Sequence, residues 1–237
     1  MKENNLTLID TTYDLRTDSY GYDPDRFSSR LRIYHQRLWS KQLPSGKFFG
    51  LTDSYPNWYL YHKSDELGEH LLSSDSITHS YSYWKRMKHI IQQIPVNEVT
   101  TFLDLWYTIG WFLLFPANRI NGLWTINQDR GCNKKICDRI DLTLECIRLY
   151  YKGMDSPLKE TINRYDNYFK LFQDFKGYCE FFLLHDIISE DYSKINFFLP
   201  FDGFESSPLP KTVEEYLEYK ENNMQFLTKR NMRIAKY

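Results

Sequence analysis

The stretch "NEVTTFLDLWYTIGWFLLF", residues 97 to 115, decides how the chain is read. Its first half has apolar residues at helical spacing, and Asn97 is a plausible cap. Its second half is apolar nearly all round and ends at Pro116, which cannot continue a helix. A helix apolar on every side is a buried one, so residues 97–115 are expected to form a central core helix. The most apolar part, residues 105–115, is too short to cross a bilayer.

Outward from this segment the pattern stays mainly helical. Upstream, "SYWKRMKHIIQQI" (82–94) ends before Pro95. Downstream, residues 127–152 carry Ile136, Ile140, Leu144, Ile147 and Tyr151 at helical spacing. Residues 157–188 follow Ser156 as cap with Pro157 at the first helical position. Residues 212–234 open with Thr212 and Glu215 at capping-box spacing. Before residue 80 the chain is rich in turns: "GYDPD", "LPSG", "SYPN" and "SSDS". Between them a helix over 28–41, capped by Ser28 or Ser29, places Leu31, Tyr34, His35 and Leu38 on one side. "LTLID", "KFFGL" and "WYLYH" read as strands, and "KINFFLPF" (194–201) as a late strand returning to the N-terminal sheet. The expected class is α+β, a small β-containing N-terminal part on a mainly helical body. It is read as one domain over 1–237 with a subdomain boundary near 80.

Composition narrows the function classes. The net charge of −1 argues against a protein that tracks phosphate backbones by overall charge. Four cysteines without a C-x-x-C pair point to free thiols rather than a disulfide framework. The first ten residues have no apolar core of a secretory signal, so a cytoplasmic protein without a membrane partner is expected.

The second decisive stretch is "NRINGLWTINQDRGCNKKICDRIDL", residues 118–142. Asn121-Gly122 between short apolar segments is a hairpin signal, because both residues tolerate positive φ. Asn127 would then cap the long helix, with Arg119, Asn127, Gln128 and Arg130 gathered at its start. Helix starts favour anions, so arginines there are misplaced for the helix alone. An anionic ligand or a buried carboxylate resolves the conflict. Lys134, Asp138, Asp141, Glu145 and Arg148 read as a solvated face laced by neighbouring opposite charges.

"RIYHQRLWSKQLPSG", "TINQDRG" and "DRIDLTLECIRLYY" resemble signature segments of an uncharacterised bacterial family, a domain of unknown function. The resemblance implies a bacterial or phage setting and no catalytic residues.

Other constellations carry less. Arg30, Arg32, His35, Arg37 and Lys41, interleaved with Tyr34 and Trp39, could receive phosphates and stack bases, and an acidic partner or a solvated face explains them equally. His62, Glu66 and His70 have the spacing of zinc ligands on a helix, but they fall in strand-like sequence and read as unrelated surface residues. "LLSSDSI" (71–77) has a superficial likeness to the serine motif of ADP-ribosyltransferases, with no glutamate motif to complete it. Cys179 and His185, six apart on one helix, face different ways. No phosphate-binding loop, dinucleotide fingerprint or nucleophile elbow is present, and the sequence leaves the cofactor open.

Two functions follow as expectations. The first is an intracellular protein binding a phosphate-bearing ligand, a nucleotide or nucleic-acid end, as a binding protein or an effector enzyme, through Arg119, Asn127, Gln128, Arg130, Arg32, His35 and Lys41. The second is a non-catalytic protein that binds another protein or forms a homo-oligomer through aromatic surface.

Overall fold

The structure is a computed structural model, described here for residues 8–54 and 59–237. Ahead of the sheet lie α1 (Pro24–Phe27), α2 (Ser29–Trp39), and the short pair β1 (Lys41–Gln42) and β2 (Phe48–Phe49). Three strands follow: β3 (Thr52–Ser54), β4 (Tyr59–Ser64) and β5 (Gly68–Ser76). Next come α3 (Lys88–Ile91), α4 (Val96–Trp106) and β6 (Phe112–Pro116). The remainder is helical: α5 (Ile126–Cys132), α6 (Ile140–Tyr151), α7 (Lys159–Arg164), α8 (Asp166–Phe169), α9 (Phe175–Phe181) and α10 (Val213–Ile234). This is an α+β fold with its strands in the N-terminal half. One antiparallel sheet runs β3-β4-β5-β6, and β1-β2 forms a separate ladder.

The expected core helix over 97–115 is not what forms. The chain leaves α4 at Trp106, makes a tight turn at Ile109–Trp111, and enters β6, which pairs with β5 from Leu72↔Pro116 to Ser76↔Phe112. Its cause lies far along the chain. Asn231 of α10 accepts a hydrogen bond from the Gly110 N–H (2.8 Å) and donates one to Thr108 (2.7 Å). Arg230 donates to the carbonyls of Gly110 (2.5 Å) and Phe112 (3.0 Å). Tyr168 donates to that of Leu114 (3.3 Å), so side chains cover an edge that would otherwise solicit another strand. A short apolar run such as Phe112–Phe115 suits a buried strand as well as a buried helix, and these partners decide between them.

The central buried helix is instead α6, where every residue from Ile140 to Ile147 is buried. The expectation of a solvated face from Lys134 to Arg148 fails here: Asp141 is 0% exposed and Glu145 5%. Asp141 pairs with Arg139 and accepts the Phe198 N–H (2.9 Å), while Glu145 is bound by Arg148 at 2.6 Å. That use of Phe198 also explains why residues 194–201 do not return to the sheet. They make only an antiparallel bridge between Ile195 and Ile188.

Capping signals are mostly where the sequence put them. Ser28 accepts the Leu31 N–H, and Thr212 that of Glu215. Three expectations shift. Helix α4 starts after Pro95 without a side-chain cap, and α7 starts after Leu158 rather than at Pro157. The helix expected over 127–152 is broken at 133–139, and its first piece is capped by Thr125, not Asn127. Leu8–Asp10 form no strand, and the rest of "LTLID", like Trp58 and most of "SYPN", lies outside the described residues.

Candidate functional site

A cleft of about 610 Å³ opens where α1, β5 and the segment leading into α5 meet. Each wall has a local reason. In "DPD", Asp23 caps α1 by accepting the Asp25 N–H (3.1 Å), and Pro24 starts the helix. This delivers Asp25, Arg26 and Phe27 to one side. Ser73, Ser74 and Asp75 on β5 line the floor.

The third wall is the 118–142 stretch itself. Asn121 (φ 54°) and Gly122 (φ 72°) do form the tight turn, closed by the Leu123 N–H to the Ile120 carbonyl (3.1 Å), but no strands flank it. Beyond it a capping box fastens Thr125 to Gln128: each backbone N–H donates to the other's side chain, at 3.2 and 3.4 Å. Arg119, Asn127 and Gln128 therefore reach the cleft. Asn127 donates to Ser73 (2.9 Å), and its buried Oδ1 has no partner.

Arg130 does not reach the cleft. It is 0% exposed and donates five hydrogen bonds: to Thr143, Asp75 (2.6 Å), and the carbonyls of Ser76, Ile77 and Asp138. It also lies 3.2 Å from an Asp138 carboxylate oxygen. A guanidinium has five N–H groups, so nothing is left for a ligand. Of the two resolutions open for this arginine, the buried carboxylate is the one that forms.

His35 sits behind the floor. Its Nδ1 accepts from the Trp39 indole N–H (2.9 Å), and its Nε2 lies 2.9 Å from Ser74 Oγ. An indole can only donate, so the ring hydrogen is on Nε2 and points at Ser74. Ser74 must then turn its own hydrogen elsewhere, and it lines the cleft together with Asp25. Burial, with Arg230 adding, pushes His35 down to about 3, so this ring stays neutral.

The carboxyl groups are the unusual part. Burial, helped by Asp23 and Asp138, pushes Asp25 up to about 7, and its Oδ1 is buried without a partner. Burial also pushes Asp75 well above the usual carboxylate range, Asp138 and Asp25 adding and Arg130 pulling the other way.

The two remaining sequence candidates lie elsewhere. Arg32 donates to the Arg26 carbonyl (3.2 Å) and sits 4.0 Å from Asp53. Lys41 belongs to β1, past the end of α2, and not to the helix expected over 28–41. Its ammonium lies over the rings of Trp39, Phe181 and Tyr237 at 5.0, 4.8 and 4.8 Å. Burial, with Arg230 adding, lowers it to about 8. His62 and His70 are not unrelated surface residues. They are buried cross-strand partners, 6.2 Å between rings, with Phe49 stacked on His62 at 4.3 Å. Glu66 pairs with Lys47 instead, and among the described residues no group of three His, Cys, Asp or Glu could hold a metal.

Sequence reasoning missed Asp23 and Asp25, which read only as a turn, and set aside "LLSSDSI", whose serines and aspartate form the floor. Their one local signal was Asp-Pro-Asp as a helix start. Nothing local said which strand it would face.

The model of a family of unknown function, DUF6994, matches residues 9–234. The chain belongs to that family. No curated protein and no solved structure matches it. No helix is long and apolar enough to cross a membrane among the described residues.

Proposed function

We propose that the cleft binds a small phosphate-bearing ligand that also offers hydroxyl or amino donors, a nucleotide being the class with both. The observation that carries this reading is one cleft holding Arg119 together with two unpartnered buried acceptors, Asp25 Oδ1 and Asn127 Oδ1. Among the described residues Arg119 is exposed and makes no hydrogen bond or ion pair within the chain, so its cation is available to a phosphate. Lone acceptors in a partly desolvated wall are costly unless a ligand donates to them. The volume suits a small molecule, and Phe27 and Tyr59 offer aromatic faces to a base.

Thermal denaturation against a panel of nucleoside mono-, di- and triphosphates tests this. A true ligand at a hundred times its Kd should add about 2.7 kcal/mol of stability, and Arg119→Ala should abolish the response. No stabilisation by any member of the panel overturns the reading. A non-catalytic interaction protein is the second reading, favoured by Leu123 and Trp124, which stand adjacent and about half exposed (50% and 51%). Light scattering across a concentration series tests for self-association.

A further inference from the structure

We propose that the cleft seats a 5′-ribonucleotide in one direction, with its phosphate at Arg119, a ribose hydroxyl at Asp25 and its base in a second, aromatic cavity beyond Asp25. The inference rests on the cleft being a phosphate-ligand site and adds the order of groups along it.

A second cavity of about 240 Å³ adjoins the first, and Asp23 and Asp25 line both. Alone it falls below the roughly 300 Å³ at which small-molecule sites begin, so it serves as an annex of the larger cleft. Tyr22, Tyr107, Trp111 and Phe112 give it aromatic walls. Tyr22 also ties the two cavities together, because its ring lies 5.3 Å from that of Phe27, which lines the first. A turn sets Tyr22 in this place. Its N–H donates to the Ser19 carbonyl (2.9 Å), and Ser19 Oγ donates to the Tyr22 carbonyl (2.9 Å). The ring itself is 67% exposed, whereas Trp111 and Phe112 are buried. A planar base packed on Tyr22 would cover an aromatic face that the chain leaves open.

Charge fixes the direction. The cation of the second cavity, Arg16, is already taken. Asp14 holds it by a two-pronged pair at 2.9 and 2.5 Å, Asp104 lies at 3.3 Å, and its guanidinium covers Tyr107 at 4.4 Å. Arg119, in the first cleft, makes no ion pair, so a phosphate belongs there. At the junction, where Asp23 and Asp25 line both cavities, two carboxyl groups would repel a phosphate. That junction needs a donor instead. Asp23 Oδ1 is used in capping α1 (3.1 Å) and its Oδ2 lies 3.9 Å from Arg26, but Asp25 Oδ1 is buried without a partner. A sugar hydroxyl satisfies a lone carboxyl oxygen without bringing in a charge. Aromatic walls, a lone acceptor and a free cation follow one another as base, sugar and phosphate do in a 5′-nucleotide. A sugar that lacks the hydroxyl would leave the buried oxygen unpaired, and this selects ribose over deoxyribose.

Isothermal titration calorimetry tests the order, using AMP, GMP, CMP and UMP, the 2′-deoxy and 3′-deoxy forms of whichever binds best, and ribose 5-phosphate. At least one ribonucleotide should bind, and removal of one of its two hydroxyls should weaken it about tenfold. Tyr22→Ala, at an exposed ring, should weaken the nucleotide about tenfold and leave ribose 5-phosphate unchanged. Asp25→Ala should bring the ribo and deoxy forms to the same affinity. Deoxy forms that both bind the wild type as tightly as the ribonucleotide overturn the sugar seat, with no variant needing to fold. Ribose 5-phosphate binding as tightly as the nucleotide, or nucleotide affinity unmoved by Tyr22→Ala, overturns the base seat. Either result leaves the phosphate reading at Arg119 standing, whereas absence of binding by every probe overturns both.

Discussion

Replacing Arg130 by Met removes a cation from a place where nothing can take over its work. The thioether fills part of the volume, so the loss is electrostatic rather than a cavity. Asp75 at 2.6 Å and Asp138 at 3.2 Å lose their counter-charge, and the carbonyls of Ser76, Ile77 and Asp138 lose a donor. Breaking one side of a buried ion pair costs about 3–5 kcal/mol. Domains have about 5–15 kcal/mol in total, so about a fifth or more of the stability is at stake. With a urea m-value of about 2 kcal/mol/M, the midpoint should fall by roughly 2 M at pH 7. At pH 5 the deficit should shrink, because protons can neutralise the stranded carboxyls. Arg119→Met, on the exposed rim of the cleft that Arg130 does not reach, is the control and should cost less than about 0.5 kcal/mol. Urea titrations followed by tryptophan fluorescence read both. A loss below about 1 kcal/mol for Arg130→Met, or an equal loss for Arg119→Met, would refute the structural role assigned to Arg130.

Three further outcomes are expected. Asp25 has a folded pKa about 7, above its unfolded value near 4, so the wild type loses stability as pH rises through that window and the deficit is complete above pH 7. Three units correspond to at most about 4 kcal/mol, and Asp25→Asn should recover part of it at pH 8 and nothing at pH 4 by denaturant titration. A Cβ on Gly110 would collide with Asn231 Oδ1, so Gly110→Ala should destabilise by about 2 kcal/mol, whereas Gly131→Ala in α5 meets open space and should gain up to about 1 kcal/mol by calorimetry. Of the four free cysteines only Cys132 is exposed, so a disulfide-exchange reagent should titrate one thiol quickly in the native protein and the other three on unfolding.

How far the sequence reaches depends on the distance over which each interaction acts. The caps at Ser28 and Thr212, the buried stripe Leu31–Tyr34–His35–Leu38 and the Asn121-Gly122 turn all rest on residues within four positions of one another, and all were legible. Arg119, Asn127 and Gln128 were legible as a group for the same reason, since one turn and one capping box bring them together. Arg130 was legible as electrostatically misplaced, but the sequence left open whether a ligand or a carboxylate answered it. Asp75, 55 positions away, settled that.

By itself, then, the sequence determined the α+β class, the helices α2 and α10, the membership of a family of unknown function and one wall of the cleft, because local hydrogen bonds and periodic apolar faces are written in adjacent residues. Tertiary structure alone decided that Phe112–Pro116 is a strand, that α6 is the central helix, and that Asp25 faces Ser74 and Asp75. Apolar runs and isolated carboxyls have no preferred partner of their own. Arg230 and Asn231 had to arrive from about 120 residues away to claim the backbone at Gly110, and β5 had to pack under α1 before Asp25 lost the water that would have kept it an ordinary carboxylate.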